Sequence, residues 1–335
     1  MERKVLMSLI VMSCLGLFSW NTAQGAGPSE TKISAISAPF GTGSYVLSAA
    51  LEDISKKHHP SLRVTHSESP GLVFNIKKLE KEPELRKSMI ITSTPGVCWL
   101  AQNGVEPFDK KYPTPVLIAN YNLISVWLAS LNPEIKNGEG LTGKRVGLGR
   151  VPQISWSIEP EWVIRHGWGN RDKMKIQYIG MKEAIDALLD GLVDAAVVGV
   201  YFDPIHWKVS PSPQTLELMA SGRKVNHISW GEEAIRKTVA KGIPIVPVTI
   251  PAKAVQGMSQ DLAGFSDNVA WCVAREFPEE IAYELTRMVI THCAKFAEYS
   301  DLGKLMSPKA LPFGWSPERI HPGAMRAYRE AGILK

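Results

Sequence analysis

The sequence is organised around a short glycine-containing stretch, Pro39-Phe40-Gly41-Thr42-Gly43-Ser44-Tyr45. An apolar run over residues 33–38 precedes this stretch and is typical of a β-strand. Residues 46–57 follow it and carry apolar side chains at the i, i+3, i+4 and i+7 spacing of one helix face. We therefore predict a strand, a tight turn and the start of a helix.

The chemistry of this turn suits the binding of an anion. Gly41 and Gly43 allow the backbone to turn sharply and to approach a ligand closely. Thr42 or Ser44 is suited to cap the helix, whose first N–H groups and positive dipole end attract negative charge. A dinucleotide-binding fingerprint would require a third glycine at the position of Val46, so the sequence argues against that class of site.

Length and composition place the chain among globular proteins with room for two domains. The chain has 335 residues, of which 44% are hydrophobic and 21% are charged. The net charge of +5 is small, and no stretch interleaves basic with aromatic residues. A nucleic-acid partner is therefore not expected.

The first 25 residues have the features of a secretory signal peptide. Arg3 and Lys4 precede an apolar run over residues 5–20, and Ala23 and Gly25 stand at the −3 and −1 positions of a cleavage site after Gly25. The run is shorter than the ~20 residues of a membrane span. Processing as a lipoprotein at Cys14 is disfavoured by the residues before it. We expect an exported, soluble mature chain.

Cleavage after Gly25 would leave three cysteines, Cys98, Cys272 and Cys293. An odd number excludes a framework in which every cysteine is bridged. Cys272 lies in an apolar run and Cys293 on the apolar face of a predicted helix. Buried thiols are the favoured interpretation, and a Cys272–Cys293 bridge is left open.

Strand-like and helix-like segments alternate from residue 33 onward. The first strand-like runs cover residues 33–38, 62–66, 89–92, 115–120 and 123–129. A second series covers residues 144–149, 175–179, 195–198 and 225–228. This alternation predicts an α/β fold with mostly parallel strands.

The last third of the chain differs from these two series. Residues 242–251 carry three prolines, which predicts a connector or an edge strand. Residues 268–274 resemble a strand, and Pro278 begins a long amphipathic helix. Because the two α/β series follow each other without a flexible linker, we predict two lobes that share strands and enclose a cleft.

Enzyme and metal signatures are weak. A near-match to a phosphate loop over residues 138–144 is followed by Arg145 where a Ser or Thr should stand, and it precedes a strand instead of following one. The sequence has no His-Glu-x-x-His, paired Cys-x-x-Cys or Gly-x-Ser-x-Gly motif. His58 and His59 suit a solvated helix end better than a metal site. We predict no catalytic residues, no metal and no cofactor.

Polar residues recur after the predicted strands of both series. Open α/β folds bind ligands at this edge, although such residues are also ordinary helix caps and turns. Their recurrence in both series favours a shared site. The predicted ligand-binding residues are Gly41, Thr42, Gly43, Ser44, Tyr45, Ser69, Asn75, Thr94, Arg150, Gln153, Ser155, Trp156 and Tyr201.

Taken in order, several segments resemble the TAXI family of solute-binding proteins of TRAP transporters. Residues 41–45 resemble that family's opening Gly-Thr-Gly-Gly-x-Tyr signature, and residues 69–75 resemble its Thr-Gly-Gly-Ser-x-Glu-Asn segment. Residues 143–149, 184–194, 249–251 and 321–332 are similar to later parts of the family pattern. The resemblance spans about residues 33 to 332.

This resemblance implies a type II periplasmic-binding-protein fold, with two lobes, a hinge and an interlobe cleft. We predict residues 26–122 plus 265–335 in lobe I and residues 123–264 in lobe II. The hinge crossings are expected near residues 122–130 and 245–270, because the two α/β series are separate and the end of the chain returns to the first. The resemblance further implies a monomer in the periplasm that captures a small solute. The partners implied are the membrane subunits of a TRAP-type transporter, with no chemical turnover.

The family is associated with small carboxylates such as glutamate and 2-oxoglutarate, but the pocket motifs depart from its pattern. Residues 70–72 lose a hydroxyl, and residues 152–155 replace a Gly-Ser-Gly-Thr loop. These departures argue against glutamate, while Arg150 offers a guanidinium for a carboxylate or sulfonate. The expected solute is a carboxylate or an amino acid. An exported enzyme and a sensor-coupled receptor on the same scaffold stay open as alternatives.

Overall fold

A computed structural model describes residues 30–335 of the chain. The predicted signal peptide and its cleavage site after Gly25 lie outside the described residues. Within residues 30–335, none of the helices combines the length and the hydropathy of a membrane span.

The strands of the described residues join into one 11-stranded sheet. The order along the sheet is β2-β1-β3-β11-β4-β7-β5-β6, with β10 paired to β11, β8 to β7 and β9 to β4. The strands are β1 (Thr31–Ile36), β2 (Leu62–Ser67), β3 (Met89–Ser93), β4 (Val116–Ser130), β5 (Arg145–Leu148), β6 (Lys175–Tyr178), β7 (Ala195–Asp203), β8 (Lys208–Pro211), β9 (Asn226–Ile228), β10 (Val246–Ile250) and β11 (Leu262–Val273).

Helices connect most of these strands. Thr42, Thr94 and Ser212 cap α1, α3 and α6 through their side-chain oxygens, as expected for hydroxyl residues at helix starts. A π-helical turn, Val163–Trp168, continues α4. The helices are α1 (Gly43–His58), α2 (Leu72–Lys81), α3 (Pro95–Asn103), α4 (Ile158–Trp162), α5 (Met181–Leu189), α6 (Pro213–Ala220), α7 (Glu232–Val239), α8 (Glu279–Thr291) and α9 (Pro322–Glu330).

The prediction of mostly parallel strands is wrong. Only four of the ten strand pairings in the described sheet are parallel: β1 with β2 and β3, and β5 with β6 and β7. The centre of the sheet is antiparallel, because β11 returns from the last third of the chain between β3 and β4. The parallel strands therefore form two outer groups, and β4 and β11 run between them.

Residues 115–120 and 123–129 belong to one strand, β4, where the sequence predicted two. The polar Asn120 interrupts the apolar pattern, but its amide is buried and donates hydrogen bonds to the carbonyls of Ala310 and Phe313. A buried polar group with satisfied hydrogen bonds does not end a strand. By contrast, the prediction for residues 242–251 is confirmed, since β10 is an edge strand paired with β11.

The three described cysteines are free and buried. This confirms the interpretation of buried thiols, and the Cys272–Cys293 bridge is not formed. Cys293 does not belong to α8 but begins the 3-10 segment Cys293–Glu298 that follows it. A second 3-10 segment, Asp301–Leu305, lies next along the chain and packs near the start of α1.

Candidate ligand-binding site

The carboxyl ends of β1, β2 and β3 lie at the same edge of the sheet, which we call the carboxyl edge. Both α1 and α3 begin at this edge, directly after β1 and β3. Thr42 caps α1 by accepting a hydrogen bond from Tyr45 N at 3.2 Å, and its hydroxyl donates to Pro39 O at 2.8 Å. The free N–H groups of the first turn and the positive dipole end of a 16-residue helix therefore face this edge.

The two glycines of the turn serve different purposes. Gly41 has a φ of +83°, a left-handed conformation that favours glycine, and a side chain there would meet open space. Gly43 has no such strain, but a Cβ at this position would overlap Cδ1 of Leu302. The sequence predicted that a ligand approaches the backbone closely at Gly43. In this structure the group that approaches Gly43 is Leu302, in the 3-10 segment Asp301–Leu305.

Ser44 and Tyr45 point to different neighbours. The phenol of Tyr121 on β4 lies near Ser44 and forms a hydrogen bond of 2.9 Å with the Thr92 hydroxyl. Burial raises the pKa of Tyr121, and both neighbouring hydroxyls oppose that shift. Tyr45 packs edge to face on Phe40 and on His66, with ring centroids 5.0 Å and 4.9 Å apart. Tyr121 was missed by the sequence reasoning because it lies inside a long apolar strand.

Ser69 and Asn75 hold the carboxyl edge together. The Ser69 hydroxyl donates to Ser37 O at 3.0 Å, and the Asn75 amide donates to the same oxygen at 2.8 Å. The amide also donates to Thr92 O at 3.0 Å, so it bridges the ends of β1 and β3. Asn75 is fully buried, and its Oδ1 has no hydrogen-bond partner among the described residues. Its donors are therefore used structurally, which leaves Oδ1 for other contacts.

Thr94 and Ser155 meet at Asp267, which lies on β11. Thr94 caps α3 by accepting from Val97 N at 3.2 Å, and its hydroxyl lies close enough to Asp267 to lower the pKa of that carboxyl. Ser155 donates to Asp267 Oδ2 at 2.6 Å, and Asn268 N donates to Oδ1 at 3.0 Å. Burial raises the pKa of Asp267 to about 6, although these hydrogen bonds oppose the shift. One residue from each predicted series therefore reaches the same buried carboxyl.

A second buried carboxyl, that of Glu159 on α4, lies beside Asp267. Burial and the Asp267 charge raise the pKa of Glu159 well above its usual range. Its Oε1 fills the space that a Cβ on Gly96 would occupy, so α4 touches the first turn of α3. The sequence reasoning missed Glu159, although it precedes the apolar Trp162 and Val163 at helical spacing, which places it on the buried face.

The loop after β5 holds three of the other predicted residues. Gln153 accepts a hydrogen bond from Arg150 N at 2.8 Å. Trp156 is buried and packs on Gly199. A Cβ at Gly199 would lie only 2.9 Å from Cη2 of the indole. The Arg150 side chain is 64% exposed, and its Nη2 pairs with Glu183 Oε1 at 2.6 Å. Its role as an anion partner stays a prediction.

The remaining predicted residue, Tyr201, lies on β7 opposite Ile124 of β4. Burial alone raises the pKa of its phenol. Two residues further along, the buried Asp203 accepts a hydrogen bond from Ser307 at 3.0 Å, shortly after the 3-10 segment Asp301–Leu305. This hydrogen bond therefore connects the end of β7 to the residues that directly follow the segment packed on α1.

The structure thus brings some predicted residues into direct contact and separates others. Ser69 and Asn75 share the carbonyl of Ser37, while Thr94 and Ser155 share Asp267. Arg150 and Gln153 contact each other through the backbone of Arg150, but the Arg150 guanidinium reaches α5 instead of the buried carboxyls. The described residues contain no group of three or more metal-ligating side chains.

A family model matches residues 36–332 of the chain, which is nearly the whole described region. The protein belongs to the NMT1-like family. This match is broader than the predicted TAXI family, which it does not single out.

Solved structures show the fold of this NMT1-like protein. It is similar to a TctC solute-binding protein from Polaromonas, with a TM-score of 0.53 and 15% identity over 89% of this chain and 98% of that one. It is also similar to XAC2383 from Xanthomonas citri bound to ATP, with a TM-score of 0.53 and 10% identity over 91% and 100% of the two chains. A third similar structure is Rpa4515 from R. palustris with adipate, at a TM-score of 0.46 and 14% identity over 90% and 94%.

At these identities the likeness concerns the fold alone. The NMT1-like protein has the mixed α/β, two-lobe fold of periplasmic binding proteins, which confirms the predicted fold class.

Proposed function

We propose that this NMT1-like protein is a periplasmic solute-binding protein of the TAXI type. In this proposal it captures a small anionic organic solute, a carboxylate or an amino acid, and delivers it to the membrane subunits of a TRAP-type transporter. The observation that carries the proposal is the arrangement of α1 and α3. Both begin at the carboxyl edge, with Thr42 and Thr94 as their caps, next to the point where β4 and β11 run between the outer strands.

This arrangement supplies what an anion requires. Helix N-termini present unpaired N–H donors and a partial positive charge, so they bind carboxylates without a metal or a covalent step. The hydroxyls of Ser44 and Thr92 and the phenol of Tyr121 lie beside the start of α1 and add neutral donors. A solute held in this way is bound and oriented but not converted.

The division into lobes is part of the proposal, with residues 26–122 plus 265–335 in lobe I and residues 123–264 in lobe II. It is supported by the two outer strand groups, β2-β1-β3 and β7-β5-β6, and by the two strands β4 and β11 between them. Several contacts then cross the cleft, and two of them lie outside the Asp267 cluster. Trp99 on α3 meets Trp162 on α4 edge to face at 5.2 Å, and Ser307 donates to Asp203. A hinge in β4 and β11 would open these contacts and admit the solute.

A thermal-shift screen on the mature chain tests the proposal. Carboxylates, amino acids, aromatic acids and sulfonates form the panel, and a true solute at 100 times its Kd adds about 2.7 kcal/mol to the free energy of unfolding. Each hit is then incubated with the protein and recovered for NMR. We expect a hit among the anions, recovered unchanged, together with a smaller radius of gyration in small-angle X-ray scattering.

Two results would overturn the proposal. A panel in which no anion raises the melting temperature removes the binding role, and a hit that is chemically converted favours the exported enzyme. Copurified small molecules, released by denaturation and identified by mass spectrometry, extend the panel beyond the compounds chosen in advance.

A further inference from the structure

We propose that Glu159 and Asp267 form a proton-binding latch between the lobes, so that closing the cleft takes up a proton. The inference rests on the lobe division of the proposed function, but it concerns the protein without solute. It assigns these two carboxyls a part in setting how closed the protein is at a given pH.

The geometry of the pair supports this role. Glu159 lies on α4 in lobe II and is 1% exposed, while Asp267 lies on the crossing strand β11 and is 2% exposed. Asp267 lies close enough to Glu159 for its charge to raise the pKa of the Glu159 carboxyl. Oε1 of Glu159 abuts Gly96 in the first turn of α3, and Oε2 has no hydrogen-bond partner among the described residues. The carboxyl of Glu159 in lobe II therefore packs against the first turn of α3 in lobe I.

Two carboxyls in contact in a buried site behave as an acid pair that holds a proton. Two carboxylates have acceptors and no donor, so one carboxyl can donate a hydrogen bond to the other only when it is protonated. Burial disfavours the charged forms, and the neighbouring negative charge adds to this effect. In this structure, which the proposal takes as the closed arrangement, the pKa of Asp267 is raised to about 6 and that of Glu159 is raised well above its usual range.

Opening the cleft would return both groups to water, where Asp and Glu titrate near ~3.9 and ~4.3. The closed arrangement thus binds more protons than the open one at pH values above this range. Closing is favoured as pH falls and becomes less favoured as pH rises through about 6 and above, where the pair must lose its proton or separate.

The surroundings contain little that would neutralise the pair. On α3 the nearest titratable group is the Cys98 thiol, whose pKa is raised by burial, so it stays neutral in this range. The charge of Arg319 lowers the pKa of the Cys98 and Cys272 thiols, against the effect of burial. On α4, Glu161 is engaged by Arg165 and Arg171. Within residues 30–335, neither Glu159 nor Asp267 forms an ion pair, and the hydrogen bonds that Asp267 accepts come from the neutral donors Ser155 and Asn268 N.

The test is small-angle X-ray scattering of the mature chain without solute, at about pH 5 and about pH 8, on either side of the expected transition. We expect the wild type to have the smaller radius of gyration at the lower pH. Glu159→Gln keeps the size of the side chain and can still donate a hydrogen bond to Asp267, but it does not ionise. Its closure should therefore depend on pH less than that of the wild type, because only Asp267 is left to titrate.

Glu233→Gln is the matched control, since Glu233 is an exposed lobe II carboxyl paired with Arg236. It should respond to pH as the wild type does. If Glu159→Gln does not fold, Asp267→Asn replaces it with the same expectation. An unchanged wild-type radius, or a pH response in Glu159→Gln equal to that of the wild type, overturns the latch. Because no solute is used, the latch and the proposed function fail independently.

Discussion

Gly43 and Leu302 are packed so tightly that a side-chain carbon on Gly43 would overlap Cδ1 of Leu302. Gly43 is the first residue of α1, and Leu302 lies in the 3-10 segment Asp301–Leu305. Shortly after that segment, Ser307 donates a hydrogen bond to Asp203 at the end of β7. The helix start that we propose to bind the solute therefore contacts the segment Asp301–Leu305. The residues that follow this segment contact β7 on the other side of the proposed cleft.

Gly43→Val should weaken solute binding at least tenfold, about 1.4 kcal/mol. The added side chain must displace Leu302 and the N–H groups of the first turn, while the flexible leucine end limits the loss of stability to about 1–3 kcal/mol. Calorimetry with a solute from the screen measures the affinity. Leu302→Ala in the same chain removes the overlap and should restore most of it. Wild-type affinity in Gly43→Val would exclude the turn from the site.

Asn75→Asp should destabilise the protein by about 3 kcal/mol or more at neutral pH. The change replaces the buried amide that donates to Ser37 O and Thr92 O with a carboxylate that repels both carbonyls. A protonated Asp can donate one of these bonds, so stability should recover as pH falls. Urea unfolding at several pH values measures this. Asn103→Asp, on the exposed end of α3, is the control. Equal pH profiles for the two variants would contradict the bridging role.

His321→Asn should reduce the loss of stability in mild acid. The buried imidazole donates from Nε2 to Phe277 O at 2.9 Å and accepts from Gly323 N at Nδ1, so it is held neutral, and burial lowers its pKa. The unfolded chain takes up a proton near pH ~6.5, and the wild type therefore loses stability as pH falls below that value. Asn keeps the cap of α9 without titrating.

The measurement for His321→Asn is the urea midpoint at about pH 7.5 and about pH 5, on either side of the imidazole titration. The variant should be less stable at the higher pH, because ring packing is lost, but should change less between the two. His58→Asn, at an exposed histidine, should follow the wild type. A pH response in His321→Asn as large as that of the wild type would count against this assignment.

Local chemistry explains which parts of the fold the sequence predicted. Thr42 and Thr94 are helix caps because a hydroxyl before a helical stretch satisfies a free N–H, and that preference depends on a few neighbouring residues. The edge position of β10 follows in the same way from its prolines. The pairing of β11 between β3 and β4 joins residues that are 141 to 183 positions apart, so a local sequence pattern cannot predict it.

The candidate site shows the same limit. Ser155 was predicted from its place after a strand, but its partner Asp267 lies 112 residues away. Glu159 was missed because a charged residue on a short helix normally faces solvent, and only its contact with Asp267 and Gly96 makes it a buried acid. Arg150 was predicted without its partner, since Glu183 belongs to α5, which follows only after α4 and β6 along the chain.

Arg150 is the residue on which the charge of the solute can be tested most directly. Its guanidinium lies at the carboxyl end of β5, and its ion pair with Glu183 is exposed on both sides. Exposed pairs contribute little, about 0–1 kcal/mol, so an anionic solute could draw the guanidinium away at small cost. We therefore predict that Glu183 competes with the solute for Arg150.

If this is so, Arg150→Ala should weaken binding of an anionic solute ten- to a hundredfold, since a charged hydrogen bond contributes ~1.5–3 kcal/mol. Glu183→Gln should strengthen binding, because it removes the competing carboxylate and leaves the guanidinium in place. Arg150→Lys should recover part of the affinity, as a point charge does not reproduce the bidentate fork. Calorimetry on the three variants at one salt concentration separates this view from anchoring by helix N-termini alone. In that rival case Arg150→Ala binds the solute within about twofold of the wild type, ~0.4 kcal/mol. The affinity of Glu183→Gln is then also unchanged.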